Sequence, residues 1–353
     1  MALDRRTAPG PALALLAAAL FGLSTPAAKL LVGTVDAWLL AGLLYFGSGV
    51  GLGLLHLARG VGGAAKREAA LTRSDTLPLA GAIITGGVIG PVLLMSALAR
   101  GAASESALLL NLEGVFTALL AAVVFREHVP ARIAAGMGAI TAGAATLAWK
   151  EGGGFALGTP ALLVAAACVA WAIDNNLTRT VSATDPVILA GLKGAVAGTV
   201  NVGIALALGA AWPTAPVVLA AAVVGFLGYG TSLVLFVRAL RELGTSRTGA
   251  YFSTAPFIGA VAGVVVLREP LTPALAVSAA LMAAGVWLHL TEQHDHEHVH
   301  EPLTHEHAHR RDEHHQHDHP PGTTAEPHTH RHTHAALRHR HPHYPDLHHR
   351  HRH

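Results

Sequence analysis

Charged residues and cysteine are scarce in this 353-residue sequence, and each scarcity excludes a class of protein. Only 13% of its residues are charged, against about 25% in soluble domains, while 52% are hydrophobic and the mean hydropathy is +0.44. These values exclude a soluble globular protein. The single cysteine, Cys168, excludes a disulfide within the chain. We find no nucleotide-binding loop, nucleophile elbow or carboxylate pair in a catalytic context, so the sequence does not indicate an enzyme.

In place of charge, the sequence contains apolar runs of about 20 residues, the length that a helix needs to cross a bilayer. They cover residues 11–32, 37–58, 78–99, 104–125, 131–149, 157–178, 187–208, 215–237, 248–267 and 273–291. The first run is longer than the 7 to 15 apolar residues of a typical signal peptide, and it has an internal partner, so we interpret it as a helix. The expected fold is an all-α membrane protein with ten transmembrane helices.

The apolar region is an internal duplication. Residues 97–149 align without a gap on residues 239–291, and residues 21–29 align on residues 171–179. Each half then has five spans, and an odd number forces the second half to be inverted relative to the first. Inverted repeats enclose a binding site near the midplane in many alternating-access transporters.

Three regions follow from this duplication. We predict a first repeat over 1–149, a second over 150–293, and a tail over 294–353 with tandem copies 294–319 and 328–353. With both termini on one side, the flanks of that side contain twelve Lys and Arg residues and the opposite flanks contain three. The excess predicts a multi-pass protein with cytoplasmic termini.

The two five-span halves, the openings FGLSTPAAKLL and AWAIDNNLTR, and the FRE and LRE endings of the apolar runs resemble the EamA family of the drug/metabolite transporter superfamily. The resemblance covers residues 11–291. It implies a ten-helix secondary transporter of small solutes in a bacterial inner membrane, but it does not identify the solute. The histidine-rich tail lies outside the family pattern.

Glu113 is the most informative residue of the membrane region because it falls at the middle of its span. A buried carboxylate is costly there unless it is paired or neutralised. It either couples transport to a proton or holds a substrate amine, or it fixes packing by a hydrogen bond. Thr117 shares its helix face, whereas Asn111 is about 200° away around the helix. The next residue, Gly114, aligns with Pro256, and helix-weakening residues at matching positions of two inverted halves indicate a binding site.

Further candidates lie in the second half. Asp174 and Asn175 lie near the inner end of the sixth span, and Lys193 lies at a matching depth in the seventh, so an Asp174–Lys193 ion pair is expected, with a gate or substrate contact as the alternative. Tyr229 and Ser232 share a helix face and line the pathway or bond within the core. Lys29 and its counterpart Arg179 are expected to extend to the membrane interface.

Four Gly-x-x-x-Gly spacings allow close helix approach. They begin at Gly47, Gly86, Gly194 and Gly259.

The tail is a polar low-complexity segment, predicted to be disordered, that contains 22 of the 25 histidines. Eleven histidines of the first copy recur 34 residues later, while most spacer residues differ. Neutral imidazoles suit zinc, nickel, cobalt and copper, so a divalent-metal site is predicted, with a pH-responsive polycation as the alternative. The predicted ligands are His294, His296, His298, His300, His305, His307, His309, His328, His330, His332, His334, His339, His341 and His343.

Two functions remain open. In the first, the membrane region carries a small metabolite, as an exporter, and the tail binds metal. In the second, the region moves nickel, cobalt or zinc that the tail supplies. No cofactor is required, and the expected partners are lipid, solute, tail-bound metal and a second copy of the chain, with no nucleic acid.

Overall fold

The structure is a computed structural model that describes residues 10–61, 75–124, 129–150, 154–155, 158–180, 186–243, 245–291, 295–300, 303–309, 328–334 and 337–342. Ten helices in this part are long and apolar enough to cross a membrane, which confirms the predicted number. We number them spans 1 to 10: Gly10–Val32, Ala37–Ala58, Thr76–Leu98, Ala103–Val124, Ala131–Ala148, Thr159–Thr178, Val187–Ala207, Ala215–Ala239, Arg247–Val266 and Pro273–Leu290. We call the end of the bundle at Gly10 proximal and the end at Val32 distal.

Six spans are single α-helices and four are interrupted. The single helices are α1 Gly10–Val32, α2 Ala37–Val61, α7 Ala131–Ala148, α8 Thr159–Thr180, α9 Pro186–Ala207 and α14 Pro273–Leu290. Span 3 consists of α3 Thr76–Ala82 and α4 Gly90–Leu98. Span 8 consists of α10 Ala215–Gly225 and α11 Ser232–Leu243. In each of these spans a π-helical segment joins the two helices. Spans 4 and 9 consist of α5 Ala103–Leu109 and α6 Leu112–Val124, and of α12 Thr245–Phe252 and α13 Ala255–Val266.

Local sequence accounts for where the helices begin. Span 2 follows Asp36, whose Oδ1 accepts hydrogen bonds from the amides of Trp38 at 2.9 Å and Leu39 at 3.1 Å. Span 10 follows Thr272, whose hydroxyl accepts from the Leu275 amide at 3.1 Å, and has Pro273 as its first residue. Both are standard N-terminal caps that satisfy otherwise unpaired amides.

Spans of the first half pack against spans of the second half. Span 2 packs on span 7 and span 5 on span 10, which are equivalent positions in the repeat. Span 1 packs against spans 8 and 9, and span 6 packs against spans 3 and 4. This reciprocal packing is what two inverted five-helix repeats predict, and it places the interrupted spans of each half against the first span of the other.

All four Gly-x-x-x-Gly pairs lie at close contacts between helices. A methyl group at any of the eight glycines would approach a neighbouring atom to less than 3.0 Å. Gly194 lies against the backbone of Gly49, for example, and Gly86 against the carboxylate of Asp174. The small residues therefore allow the helices to pack backbone to backbone.

Short strands complete the described chain. β1 Trp149–Lys150 pairs with β2 Gly154–Phe155 between the halves. In the tail, β3 Asp295–His300 pairs antiparallel with β6 Leu337–Pro342, and β4 Leu303–His309 pairs with β5 His328–His334. In these four segments histidine alternates with other residues at the period of an extended strand.

Candidate functional site

Span 4 is interrupted at Leu110 and Asn111, directly before Glu113. The Asn111 side-chain amide donates to the Leu108 carbonyl at 2.9 Å and contacts the Met282 sulfur of span 10 at 3.7 Å. A side chain that bonds the preceding turn competes with the helical hydrogen bonds and favours the interruption. Asn111 thus points to span 10 and away from Glu113.

Glu113 lies in the first turn of α6 and is half-buried. Its Oε1 accepts a hydrogen bond of 2.8 Å from the side-chain amide of Asn175, which also donates to the Thr117 hydroxyl at 3.3 Å. Glu113, Thr117 and Asn175 therefore form one group between spans 4 and 6. In the described part of the chain, only neutral donors bond to this carboxylate.

Asp174, the neighbour of Asn175, has a different partner. Lys193 of span 7 donates to Asp174 Oδ1 at 2.5 Å, and Thr178 donates to the same oxygen at 2.8 Å. The Asp174 side chain is 11% exposed and that of Lys193 is 16% exposed. The ion pair expected from their matching depths is thus present, and it also lies against Gly86 of span 3.

Span 9 is interrupted at the matching place. Its two helices separate at Ser253 and Thr254, whereas Leu110 and Asn111 align on residues 252 and 253. The Ser253 and Thr254 hydroxyls donate to carbonyls three residues earlier, at 2.7 and 2.6 Å. Pro256 follows, as Gly114 follows in span 4, so these two residues lie beside matching interruptions in both halves.

Spans 3 and 8 carry a second matching pair of irregularities, which the hydropathy pattern does not predict. The π-helical segments are Ile83–Ile89 and Phe226–Thr231, and an offset of 142 places the first on residues 225–231. π-Helical turns often occur at functional sites. The sequence signal for them is slight: glycine at the aligned positions 86 and 228.

Three side chains donate hydrogen bonds to carbonyls of the first π-helical segment, and a fourth, Trp38, bonds to one of these three. The Gly86 carbonyl accepts from the Tyr45 hydroxyl and from the Trp171 indole, both at 2.9 Å. The Gly87 carbonyl accepts from the Asn201 amide at 3.1 Å, and Asn201 in turn accepts from the Trp38 indole at 3.1 Å. Spans 2, 6 and 7 are thereby connected to span 3 beside the Asp174–Lys193 pair.

Tyr229 and Ser232 face different neighbours. Ser232 is buried and donates to the Ala17 carbonyl of span 1 at 2.8 Å. Tyr229 is half-buried, with ring centroids 6.1 Å from Phe21 and 5.5 Å from Tyr45. Ser232 therefore bonds within the core, and Tyr229 belongs to an aromatic group.

Lys29, near the distal end of span 1, bonds to the end of span 3. Its ammonium donates to the carbonyls of Leu98 at 2.5 Å and Gly101 at 2.8 Å, at the distal end of span 3. The carbonyls that end a helix attract cations, which accounts for this position. The Arg179 side chain lies outside the described residues.

Glu269 caps the first turn of span 4, which also begins at the distal end of the bundle. Its carboxylate accepts from the amides of Ala103 at 2.7 Å and Ser104 at 2.8 Å, which open span 4. The preceding residue, Arg268, has a φ of 57°, in the left-handed region. The distal turn between spans 3 and 4 is therefore held by a cation at one helix end and an anion at the other.

A cavity of about 530 Å³ opens at the distal end. It lies between spans 1, 2, 3 and 7, and Asp36, Trp38, Ser96 and Arg100 contribute polar groups to its wall. Trp38 connects this cavity to the π-helical segment through Asn201.

The predicted metal ligands lie in the tail, whose side chains are outside the described residues. The strand register places His305 opposite His332, His307 opposite His330, and His309 opposite His328. It likewise places His296 opposite His341 and His298 opposite His339. His294 and His343 fall outside the described residues. In the described part, no three His, Cys, Asp or Glu side chains are grouped to hold a metal ion.

Comparison with known proteins gives matches over the membrane region. The model of the EamA-like transporter family matches residues 8–149 and again residues 158–291. An uncharacterized transporter of Methanothermobacter thermautotrophicus is 28% identical over 281 residues, which cover 76% of this chain and 82% of the relative. A protein of known crystal structure superposes with a TM-score of 0.58 at 21% identity, over 79% of this chain and 94% of that one. This last likeness concerns the fold alone.

Proposed function

The chain belongs to the EamA-like transporter family, whose members move small solutes across membranes, and from that premise we propose that it is a secondary active exporter of a small organic metabolite. The membrane is proposed to be a bacterial inner membrane with both termini in the cytoplasm, because the Lys and Arg excess lies at the proximal end. The binding site is proposed to lie at the midplane between the two halves, beside the interruption of span 4 at Glu113.

The unequal partners of two neighbouring carboxylates carry this proposal. Asp174 has a positive partner in Lys193, whereas Glu113 has one neutral partner, the Asn175 amide, in the described part of the chain. A charged carboxylate at mid-membrane depth is costly without a cation. Glu113 is thus the acid that a proton or a cationic solute group would neutralise, and exchange between the two would couple export to proton entry.

The tail adds a second activity to the proposal. The eleven histidines in each of its two copies support binding of zinc, nickel, cobalt or copper on the cytoplasmic side. The same histidines support the alternative function, in which the metal itself is the transported solute. The membrane region offers few soft ligands for that role, chiefly Cys168, three methionines and the span-end residues His56 and His289.

Proteoliposomes can separate these functions before the solute is identified. Vesicles with the purified full chain would receive a bacterial metabolite extract supplemented with zinc, nickel, cobalt and copper salts, with and without an imposed proton gradient. Mass spectrometry of the lumen should show at least one organic solute accumulated only with protein and gradient. Accumulation of a metal alone would favour the alternative, and no accumulation would refute active transport.

A further inference from the structure

Aromatic side chains are rare in this chain, and five of them form one continuous row. The sequence has only 18 Phe, Tyr and Trp residues. We define the aromatic row as Phe236, Phe252, Phe21, Tyr229 and Tyr45, in spatial order. Its successive ring centroids are 4.8, 5.5, 6.1 and 5.5 Å apart, which is the range of favourable aromatic pairs. A concentration of such scarce residues across four spans calls for a function beyond filling space.

The row leads from the proximal end of the bundle to its centre. Phe236 and Phe252 lie near the proximal ends of spans 8 and 9, while Phe21 and Tyr45 lie at the middle of spans 1 and 2. All five side chains are half-buried. Phe46, next to Tyr45, is 44% exposed and is not a member of the row. The rings of the row therefore keep part of their surface accessible.

The acidic centre lies where the row ends. The Tyr45 hydroxyl donates to the Gly86 carbonyl at 2.9 Å, and the Asp174 carboxylate packs against Gly86. Asn175, the next residue, holds Glu113 at 2.8 Å. Trp171 donates to the same Gly86 carbonyl at 2.9 Å and adds a sixth aromatic ring beside the two acids.

This juxtaposition selects a chemical class of solute. Aromatic faces bind other rings and attract cations, and a carboxylate with only neutral partners accepts a protonated amine. Building on the proposed function, we propose that the solute is an aromatic amine, whose ammonium binds Glu113 and whose ring lies against Tyr45 and Tyr229. The proximal part of the row, at Phe236 and Phe252, then forms the entry path.

Three probes of nearly equal size test this class on the wild-type chain. Phenethylamine has a ring and a charge, 2-cyclohexylethylamine has the charge without an aromatic face, and phenethyl alcohol has the ring without the charge. Isothermal titration of the full chain in nanodiscs at pH 8 should show phenethylamine binding at least tenfold more tightly than either analogue. Equal affinities of the two amines, or no binding of either, would overturn the aromatic-amine class.

Substitutions locate the binding. Tyr45→Leu and Tyr229→Leu should each weaken phenethylamine binding about tenfold, in line with about 1.4 kcal/mol for such ring contacts, and should leave 2-cyclohexylethylamine unchanged. Phe46→Leu, outside the row, is the matched control and should bind as the wild type does. Unchanged phenethylamine binding in both row variants would overturn the assignment.

The aromatic-amine class and the proposed transport function can be refuted separately. Gradient-driven accumulation of a different solute from the metabolite extract would retain the transporter and refute the amine class. Tight phenethylamine binding without gradient-driven transport of any solute would retain the binding class and refute the secondary transporter.

Discussion

At the scale of residues, the carboxylates of Glu113 and Asp174 have different environments, although Asn175, which bonds to Glu113, directly follows Asp174 in the chain. Asp174 is paired with Lys193, and Glu113 is held by Asn175. The sequence predicted the depth of Glu113 and the Asp174–Lys193 pair, because position along a helix sets depth. It could not predict that Asn175 contacts Glu113, because that contact depends on how spans 4 and 6 are rotated against each other.

The Asp174–Lys193 pair provides a stability test. Removing one partner leaves a buried charge uncompensated, so Asp174→Asn or Lys193→Met should each destabilise the protein by about 3 kcal/mol. The double variant should recover most of that loss, since neither charge then remains. Thermal unfolding of the purified variants in one detergent provides the measurement. Additive losses in the double variant would show that the two charges do not compensate each other.

At the scale of elements, hydropathy predicted all ten spans but not their interruptions. Gly114 and Pro256 indicated irregular helices at matching positions, and both lie beside the breaks in spans 4 and 9. The π-helical segments escaped prediction. In the first of them, the Gly86 and Gly87 carbonyls accept hydrogen bonds from Tyr45, Trp171 and Asn201 of other spans. Such tertiary hydrogen bonds leave no periodic signal in the sequence.

Glu269 provides the prediction for the distal helix ends. The Glu269 carboxylate accepts hydrogen bonds from two backbone amides at the start of span 4. Glu269→Gln removes its charge, and this change should cost about 1 kcal/mol of stability. The loss would appear as a lower unfolding temperature. Glu105→Gln is a suitable control, because its exposed side chain lies in the same turn of span 4. An equal loss in the control would mean that charge alone, without the capping geometry, is responsible.

At the scale of the whole molecule, the duplication predicted the architecture well. An odd number of spans per half requires inversion, and the reciprocal packing of spans 1 and 6 on the opposite halves follows from it. The distal capping by Lys29 and Glu269 was not predictable, because it brings together residues 69 to 166 positions apart.

The tail supplies a prediction that is independent of transport. The peptide 294–353 should bind zinc or nickel at neutral pH and lose affinity below about pH 6, where protons compete for the imidazoles. Each copy alone should also bind, because each retains eleven histidines. Calorimetry of the three peptides measures this, and the absence of binding at neutral pH would contradict a metal-binding tail.

We propose that Glu113 couples transport to protons, and one substitution tests this role. A carboxylate at the bilayer centre costs about 2.5 to 3.5 kcal/mol on insertion scales, so its presence needs a compensating role. Glu113→Gln has nearly the same shape and can still bond with Asn175, but it cannot carry a charge. Glu105→Gln makes the same chemical change at the exposed start of the same span and serves as the control.

The measurement is gradient-driven accumulation in proteoliposomes supplied with the metabolite extract, alongside the unfolding temperature of each variant. We predict that Glu113→Gln keeps the wild-type unfolding temperature and loses accumulation against a gradient, while Glu105→Gln keeps both. Continued, pH-dependent accumulation by Glu113→Gln would refute the coupling role of Glu113 and leave Asp174 as the remaining acidic candidate within the spans.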